Sequence, residues 1–119
     1  MDLDYLITYC LSKPGVEETF PFNDTTIVFK VMGKMYALCG IDNIPLRVNL
    51  KCDPEKAIEL RDEHEEITPG YHMSKKHWNT VVIGEGMLNV SLIKELIDDS
   101  YDLVVSSLTR KKKDELNNL

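Results

Sequence analysis

The stretch Thr26–Lys51, TIVFKVMGKMYALCGIDNIPLRVNLK, reads as three short strands. Thr26–Met32 is rich in β-branched and aromatic residues, with Ile27, Phe29 and Val31 on one face. Gly33-Lys34 is a two-residue turn candidate of the Gly-first type, after which Met35–Cys39 returns. Beyond a loop ending in Ile44-Pro45, Leu46–Lys51 alternates: Leu46, Val48 and Leu50 point inward, while Arg47, Asn49 and Lys51 point outward. Alternation of this kind implies an antiparallel sheet with one face on a core and the other open. Lys30 lies opposite Ile27, Phe29 and Val31, so the open face is expected to gather Lys30, Arg47 and Lys51.

Helices flank these strands. Leu3, Leu6, Ile7, Cys10 and Leu11 form one apolar stripe over residues 3–12, with Asp2 as cap and Pro14-Gly15 as stop. Tyr5 and Tyr9 share a neighbouring face and are expected to pack rather than bind. Residues 17–23 read as a linker centred on Phe20-Pro21-Phe22, whose aromatics can anchor a loop. Asp53-Pro54-Glu55 starts a helix running to about His64, with Ala57, Leu60 and Arg61 on one side and Ile58 beside them. Thr68-Pro69-Gly70-Tyr71 reads as a turn and Thr80–Ile83 as a strand. Val90–Leu108 reads as a long helix whose buried stripe is Ile93, Leu96, Ile97, Tyr101, Val104 and Leu108. Residues 109–119 form a charged tail expected to fray. The fold class is α+β, a two-layer sandwich with helices on one face of an antiparallel sheet, in the order α-β-β-β-α-β-α.

The 119 residues fit one domain, and 43% hydrophobic with 29% charged residues exclude a disordered chain. No apolar run approaches the ~18 residues of a membrane span. The acidic start, Met1-Asp2-Leu3-Asp4, is unlike a secretory leader, so a cytoplasmic protein without a membrane role is expected. Fourteen basic against 20 acidic residues leave a net charge of −6, which argues against tight nonspecific DNA binding. The charge is uneven, however. Residues 67–84 contain no acid but carry His72, Lys75, Lys76 and His77. Any anion-facing surface should come from the strands and this segment, with the acids on the helices.

Catalytic motifs are missing: no P-loop, dinucleotide fingerprint, zincin motif or nucleophile elbow appears. Cys10, Cys39 and Cys52 are odd in number and lack C-x-x-C spacing, so they suit a core better than a disulfide or zinc framework. Glu59, Asp62, Glu63 and Glu66 share a helical face that is read as solvated rather than metal-binding. His72 and His77 have no cysteine or carboxylate nearby to complete a metal site. Cys52 lies near a predicted helix N-terminus, where a thiol can become nucleophilic, but nothing in the sequence places a histidine beside it. No metal, cofactor or enzymatic activity is expected. Residues 69–79 resist a pure core explanation. Trp78 is either a plug packing this loop on the sheet or a platform for a base; Lys75 and Lys76 either keep the loop wet or contact phosphate. Tyr71, His72 and His77 are the candidates for a small-ligand site.

Several strings resemble the MmcQ/YjbR family of small bacterial proteins. They are Pro14-Gly15-Val16-Glu17-Glu18-Thr19-Phe20-Pro21-Phe22, then Val28-Phe29-Lys30-Val31 with Gly33-Lys34-Met35, then Asn49-Leu50-Lys51-Cys52-Asp53-Pro54. The most specific is Thr68-Pro69-Gly70-Tyr71-His72 with Lys75-Lys76-His77-Trp78-Asn79-Thr80; Ser100-Tyr101-Asp102-Leu103-Val104 completes the series. The resemblance spans about residues 1–108. It implies a CyaY/frataxin-like fold and a DNA-binding role in which two hairpin wings flank the binding surface. Carried onto this chain, the nucleic-acid candidates are Lys34, Arg47, Lys51, Lys75, Lys76 and Trp78. A frataxin-type iron role would need an acidic first helix, and only Asp2 and Asp4 are available.

Three expectations follow in order. The first is a non-enzymatic DNA-binding module with weak, salt-sensitive affinity. The second is a protein-interaction or adaptor module, or a homodimer, that uses an open sheet edge and has no nucleic-acid role. The third is a small-molecule or metal site at Tyr71, His72 and His77.

Overall fold

The computed structural model describes residues 1–70, 73–84, 86 and 88–119. The chain runs α1 (Leu3–Leu11), β1 (Val16–Thr19), β2 (Thr26–Val31), β3 (Lys34–Gly40), β4 (Arg47–Lys51), α2 (Pro54–Glu63), β5 (Ile67–Pro69), β6 (Trp78–Val82), α3 (Val90–Ser106) and α4 (Arg110–Asn117). The six strands form one antiparallel sheet in the order β1-β2-β3-β4-β6-β5. The α+β class holds, but the element order is longer than expected by two strands and one helix.

The expected inward residues do face the helices. Ile27, Phe29, Val31, Ala37, Cys39, Val48 and Leu50 join Leu6, Cys10, Ala57, Leu60, Ile93, Leu96, Ile97 and Val104 in one buried cluster. Helix starts follow their capping chemistry. The Asp2 carboxylate accepts from the Tyr5 N–H, and Asp53 accepts from the N–H groups of Glu55 and Lys56, with Pro54 at the first helical position. Ile58, expected beside the Ala57–Leu60–Arg61 side, is 58% exposed.

Both added strands are edges. β1 overlaps the start of the expected linker, and β5 the start of the expected turn. Neither has the alternation of a half-buried strand, because its backbone ladder needs no apolar side chains. β1 carries Glu17 and Glu18, and β5 is three residues long and ends in Pro69, so both edges resist further strand addition.

The β2–β3 turn is shifted by one residue. Val31 pairs with Lys34, so the turn residues are Met32 and Gly33, with φ of 50° and 87°. Positive φ at both central positions is the primed geometry that matches strand twist. Met32 adopts it while packing its side chain against the core.

Between Phe29 and Lys30 the β2–β3 register slips, leaving Tyr36 as an extra residue in β3. Tyr36 and Ala37 both end up fully buried with the core cluster. The Tyr36 hydroxyl donates to the Cys10 carbonyl at 2.7 Å. Its ring meets Tyr101 edge-on at 5.4 Å. Tyr101 was expected in the α3 stripe but is half-buried, its hydroxyl donating to the Pro14 carbonyl. The fully buried position is Ser100.

The segment expected to fray is α4. Thr109 caps it, and Leu116 is buried against the core cluster. The Lys112 ammonium donates to the Met32 carbonyl at the hairpin tip, 3.0 Å away.

Candidate functional site

Strand pairing fixes which side chains share the open face. Lys30 stands opposite Met35 and Lys51 opposite Trp78 at one end of the sheet. Val28–Leu38, Leu38–Asn49 and Asn49–Thr80 pairings run across the middle. Thr26–Gly40 and Arg47–Val82 pairings close the other end. Lys30, Arg47 and Lys51 therefore do share the face, with Arg47 and Lys51 about 13 Å apart along β4. Among the described residues Lys30, Arg47 and Lys51 enter no ion pair, although Glu17 sits directly opposite Lys30.

The centre of this face is apolar. Val28, Leu38 and Trp78 form a second buried cluster, with Met35 and Met73 packed on it. Trp78 is only 9% exposed, so it plugs the loop onto the sheet and leaves little ring for stacking on a base. Gly70 makes this fit possible, because a Cβ there would lie 2.7 Å from that of Trp78.

Lys75 and Lys76 project from a turn at the Lys51 end. Its backbone is tied down on both sides: the Cys52 N–H donates to the His77 carbonyl at 2.8 Å, and the Trp78 N–H to the Ser74 carbonyl at 2.9 Å. Arg61 of α2 staples the same segment, donating to the Lys75 carbonyl, to Asn79 Oδ1 at 2.7 Å and to the Trp78 carbonyl at 3.4 Å. Lys75, Lys76 and His77 are all exposed, and Lys51 precedes the tethered Cys52.

Lys34 is parted from this group. It pairs with Val31 on the helix side, and its ammonium donates to the Ser107 carbonyl at the α3 C-terminus, 3.1 Å away. A cation there is favoured by the helix dipole, which gives Lys34 a structural duty. Tyr71 and His72 lie outside the described residues.

Many of the acids lie on the helices, although Glu17 stands on the open face opposite Lys30. Glu59, Asp62 and Glu63 are exposed on α2, as the solvated-face reading expects. Asp99 pairs with Lys56 at 2.6 Å, and Asp98 with Lys13 at 2.5 Å. The Tyr9 hydroxyl donates to Asp98, while Lys94 sits over the rings of Tyr5 and Tyr9. No three His, Cys, Asp or Glu side chains converge on a metal-sized site among the described residues. No helix among them is long and apolar enough to cross a membrane.

All three thiols are buried and free. Burial pushes the Cys52 thiol up, outweighing the nearby Lys56 ammonium, and the Cys52–His77 link is backbone to backbone. These features oppose a thiolate nucleophile. Burial also pushes Cys10 and Cys39 up to about 12 from an ordinary 9.0. Since the folded state holds these protons more tightly, their contribution is complete below pH 9 and lost as pH rises from 9 toward 12. A urea midpoint flat to pH 9 and falling above it is expected, with a shallower fall in Cys39→Ala. An identical alkaline fall in that variant would contradict the assignment.

The YjbR family model matches residues 11–103, from the end of α1 to within α3. The chain belongs to the YjbR family. It is 35% identical to Escherichia coli K12 YjbR over 114 residues, covering 95% of each chain. It is 40% identical to YbdF of E. coli O157:H7 over 102 residues, covering 85% of this chain and 82% of that one. A Deinococcus radiodurans crystal structure superposes with a TM-score of 0.91 at 44% identity, covering 98% of this chain and 88% of the other. A Pseudomonas syringae protein gives 0.74 at 32% identity, with 87% and 98% covered. The matched YjbR span contains the whole sheet and the Lys75–Trp78 segment; α4 lies outside it.

Two contributors escaped sequence reading. Arg61 was expected only as part of a helix side, yet it holds the basic turn. Phe22, expected to anchor a loop, is 62% exposed. A Phe-Pro-Phe string inside a polar segment was its only signal.

Proposed function

We propose that this YjbR-family chain is a non-enzymatic nucleic-acid-binding module that uses the open face of its sheet. The observation that carries the reading is the sorting of charge. Lys30, Arg47 and Lys51 stand on one face, the Lys75-Lys76 turn is tethered at its edge, and the carboxylates of α2 and α3 lie on the opposite side. The net charge of −6 is a sum over the whole chain and includes Glu17 and Asp42 on this face, so what favours a polyanion is the local clustering of Lys51, Lys75 and Lys76 at one end. Association is accordingly weak and steered by salt-sensitive phosphate contacts. The buried, proton-retaining cysteines support a role without covalent chemistry. The adaptor reading through strand addition is less favoured, because both sheet edges are short and guarded by charge or proline.

Fluorescence anisotropy with labelled DNA tests this directly. Engagement of ~4 phosphates predicts an affinity drop of about a hundredfold between ~50 and ~200 mM salt. Lys51→Glu combined with Lys75→Glu and Lys76→Glu is expected to weaken binding at least about tenfold at low salt, with the circular dichroism spectrum unchanged. Salt-independent binding, or full affinity in the triple variant, would overturn the reading and return attention to protein partners.

A further inference from the structure

The Arg47 end of the open face holds a cleft of about 420 Å³. We infer that this cleft receives a single unpaired nucleotide, with Arg47 on the phosphate and the base between Phe22 and the Leu38–Met73 floor. The inference deepens the nucleic-acid reading above by naming what the face takes: single strands rather than duplex.

Three features support it. First, the chemistry of the lining is divided as a nucleotide is. Arg47 supplies one cation, and its guanidinium enters no ion pair among the described residues. Leu38 and Met73 supply an apolar floor continuous with the second cluster, and Phe22 supplies an exposed aromatic wall. Asp42 and Asn43 supply polar groups at the rim, suited to the amino and carbonyl edges of a base. Second, the walls are built rather than loose. Asn23 Oδ1 accepts from the N–H groups of Thr25 and Thr26, at 2.9 and 2.7 Å, which fixes the chain just after Phe22. The Ile41 N–H donates to the Thr25 carbonyl at 2.8 Å, locking the two loops together. The Asn43 amide packs so closely over Gly40 that a Cβ there would lie 2.5 Å from its nitrogen. Third, Trp78 is occupied in packing, and among the described residues lining the cleft the exposed aromatic ring is Phe22. Stacking on one ring requires a base free of its own partner, which a duplex does not offer.

The test uses the full chain, a labelled deoxythymidine 10-mer, a duplex, and thymidine monophosphate followed by amide NMR shifts. The single strand is expected to bind about tenfold or more tightly than the duplex, and Phe22→Ala to remove that preference while leaving duplex affinity intact. The monophosphate is expected to shift the amides of Gly40, Asn43 and Arg47. Equal affinities unaffected by Phe22→Ala would overturn this inference and leave the nucleic-acid reading standing. If neither strand binds but the monophosphate shifts those amides, the cleft stands as a nucleotide site and the broader reading falls. Silent amides would overturn the cleft assignment on their own.

Discussion

Replacing Trp78 by alanine is expected to cost about 3–5 kcal/mol of folding stability. The ring is 9% exposed and shares a cluster with Val28, Leu38, Met35 and Met73 on the side of the sheet away from the helices. Among the described residues no helix packs on that cluster, so the indole, Met35 and Met73 keep Leu38 and Val28 dry. Truncation opens a cavity and wets the apolar centre of the face together. Total stability of such a domain is about 5–15 kcal/mol, so the variant should unfold at much lower urea. Trp78 is the sole tryptophan, so unfolding of the variant is followed by far-UV circular dichroism. Trp78→Phe should recover most of the loss. A loss below ~1 kcal/mol would mean the ring does not seal the face and is available for other contacts.

Ser100→Ala should be almost as severe for the loss of one oxygen, at about 2–4 kcal/mol. The hydroxyl is fully buried and does two jobs: it donates to the Tyr36 carbonyl at 2.6 Å and accepts from the Lys51 N–H at 2.8 Å. Tyr36 is the extra residue of the β3 irregularity, and Lys51 is the last residue of β4. Their backbone groups point at α3 because the ladder between β3 and β4 has ended there. Alanine strands a buried acceptor and a buried donor at once, and each orphan costs about 1–3 kcal/mol. Thermal melts of Ser100→Ala and Ser100→Thr distinguish this from cavity formation. Threonine keeps the hydroxyl but must fit an extra methyl, so a threonine variant closer to wild type supports the hydrogen-bond account. An alanine variant within ~0.5 kcal/mol of wild type would refute it.

Both predictions concern residues whose roles sequence reading left undecided or did not register. Trp78 had two open roles, plug or base platform, since its identity is the same in either. Ser100 appeared only inside a family string, as a polar residue in an otherwise legible helix. A buried hydroxyl is recognisable only from its partners, which here come from positions 36 and 51.

The candidate binding face was legible in half. Alternation along β2 and β4 placed Lys30, Arg47 and Lys51 outward, and strand pairing agrees. Lys34 looked like a member because it sits near a hairpin tip. The turn falls one residue earlier, at Met32-Gly33, and that single step puts Lys34 on the helix side. The cleft was not legible at all. It depends on the Asn23 turn, on the close fit of Asn43 over Gly40, and on Met73 reaching back over the sheet.

By itself the sequence determined the α+β class, the three helices with apolar stripes, the inward faces of β2 and β4, and the family. Each is written in local periodicity or capping chemistry, which a single segment carries alone. Tertiary structure decided the edge strands β1 and β5, the docking of α4 through Leu116, the burial of Trp78 and the division of the lysines between two faces. Those depend on backbone hydrogen bonds and on contacts between residues far apart in the chain. Neither leaves a periodic trace in the side chains, so they become readable only once the sheet has brought the segments together.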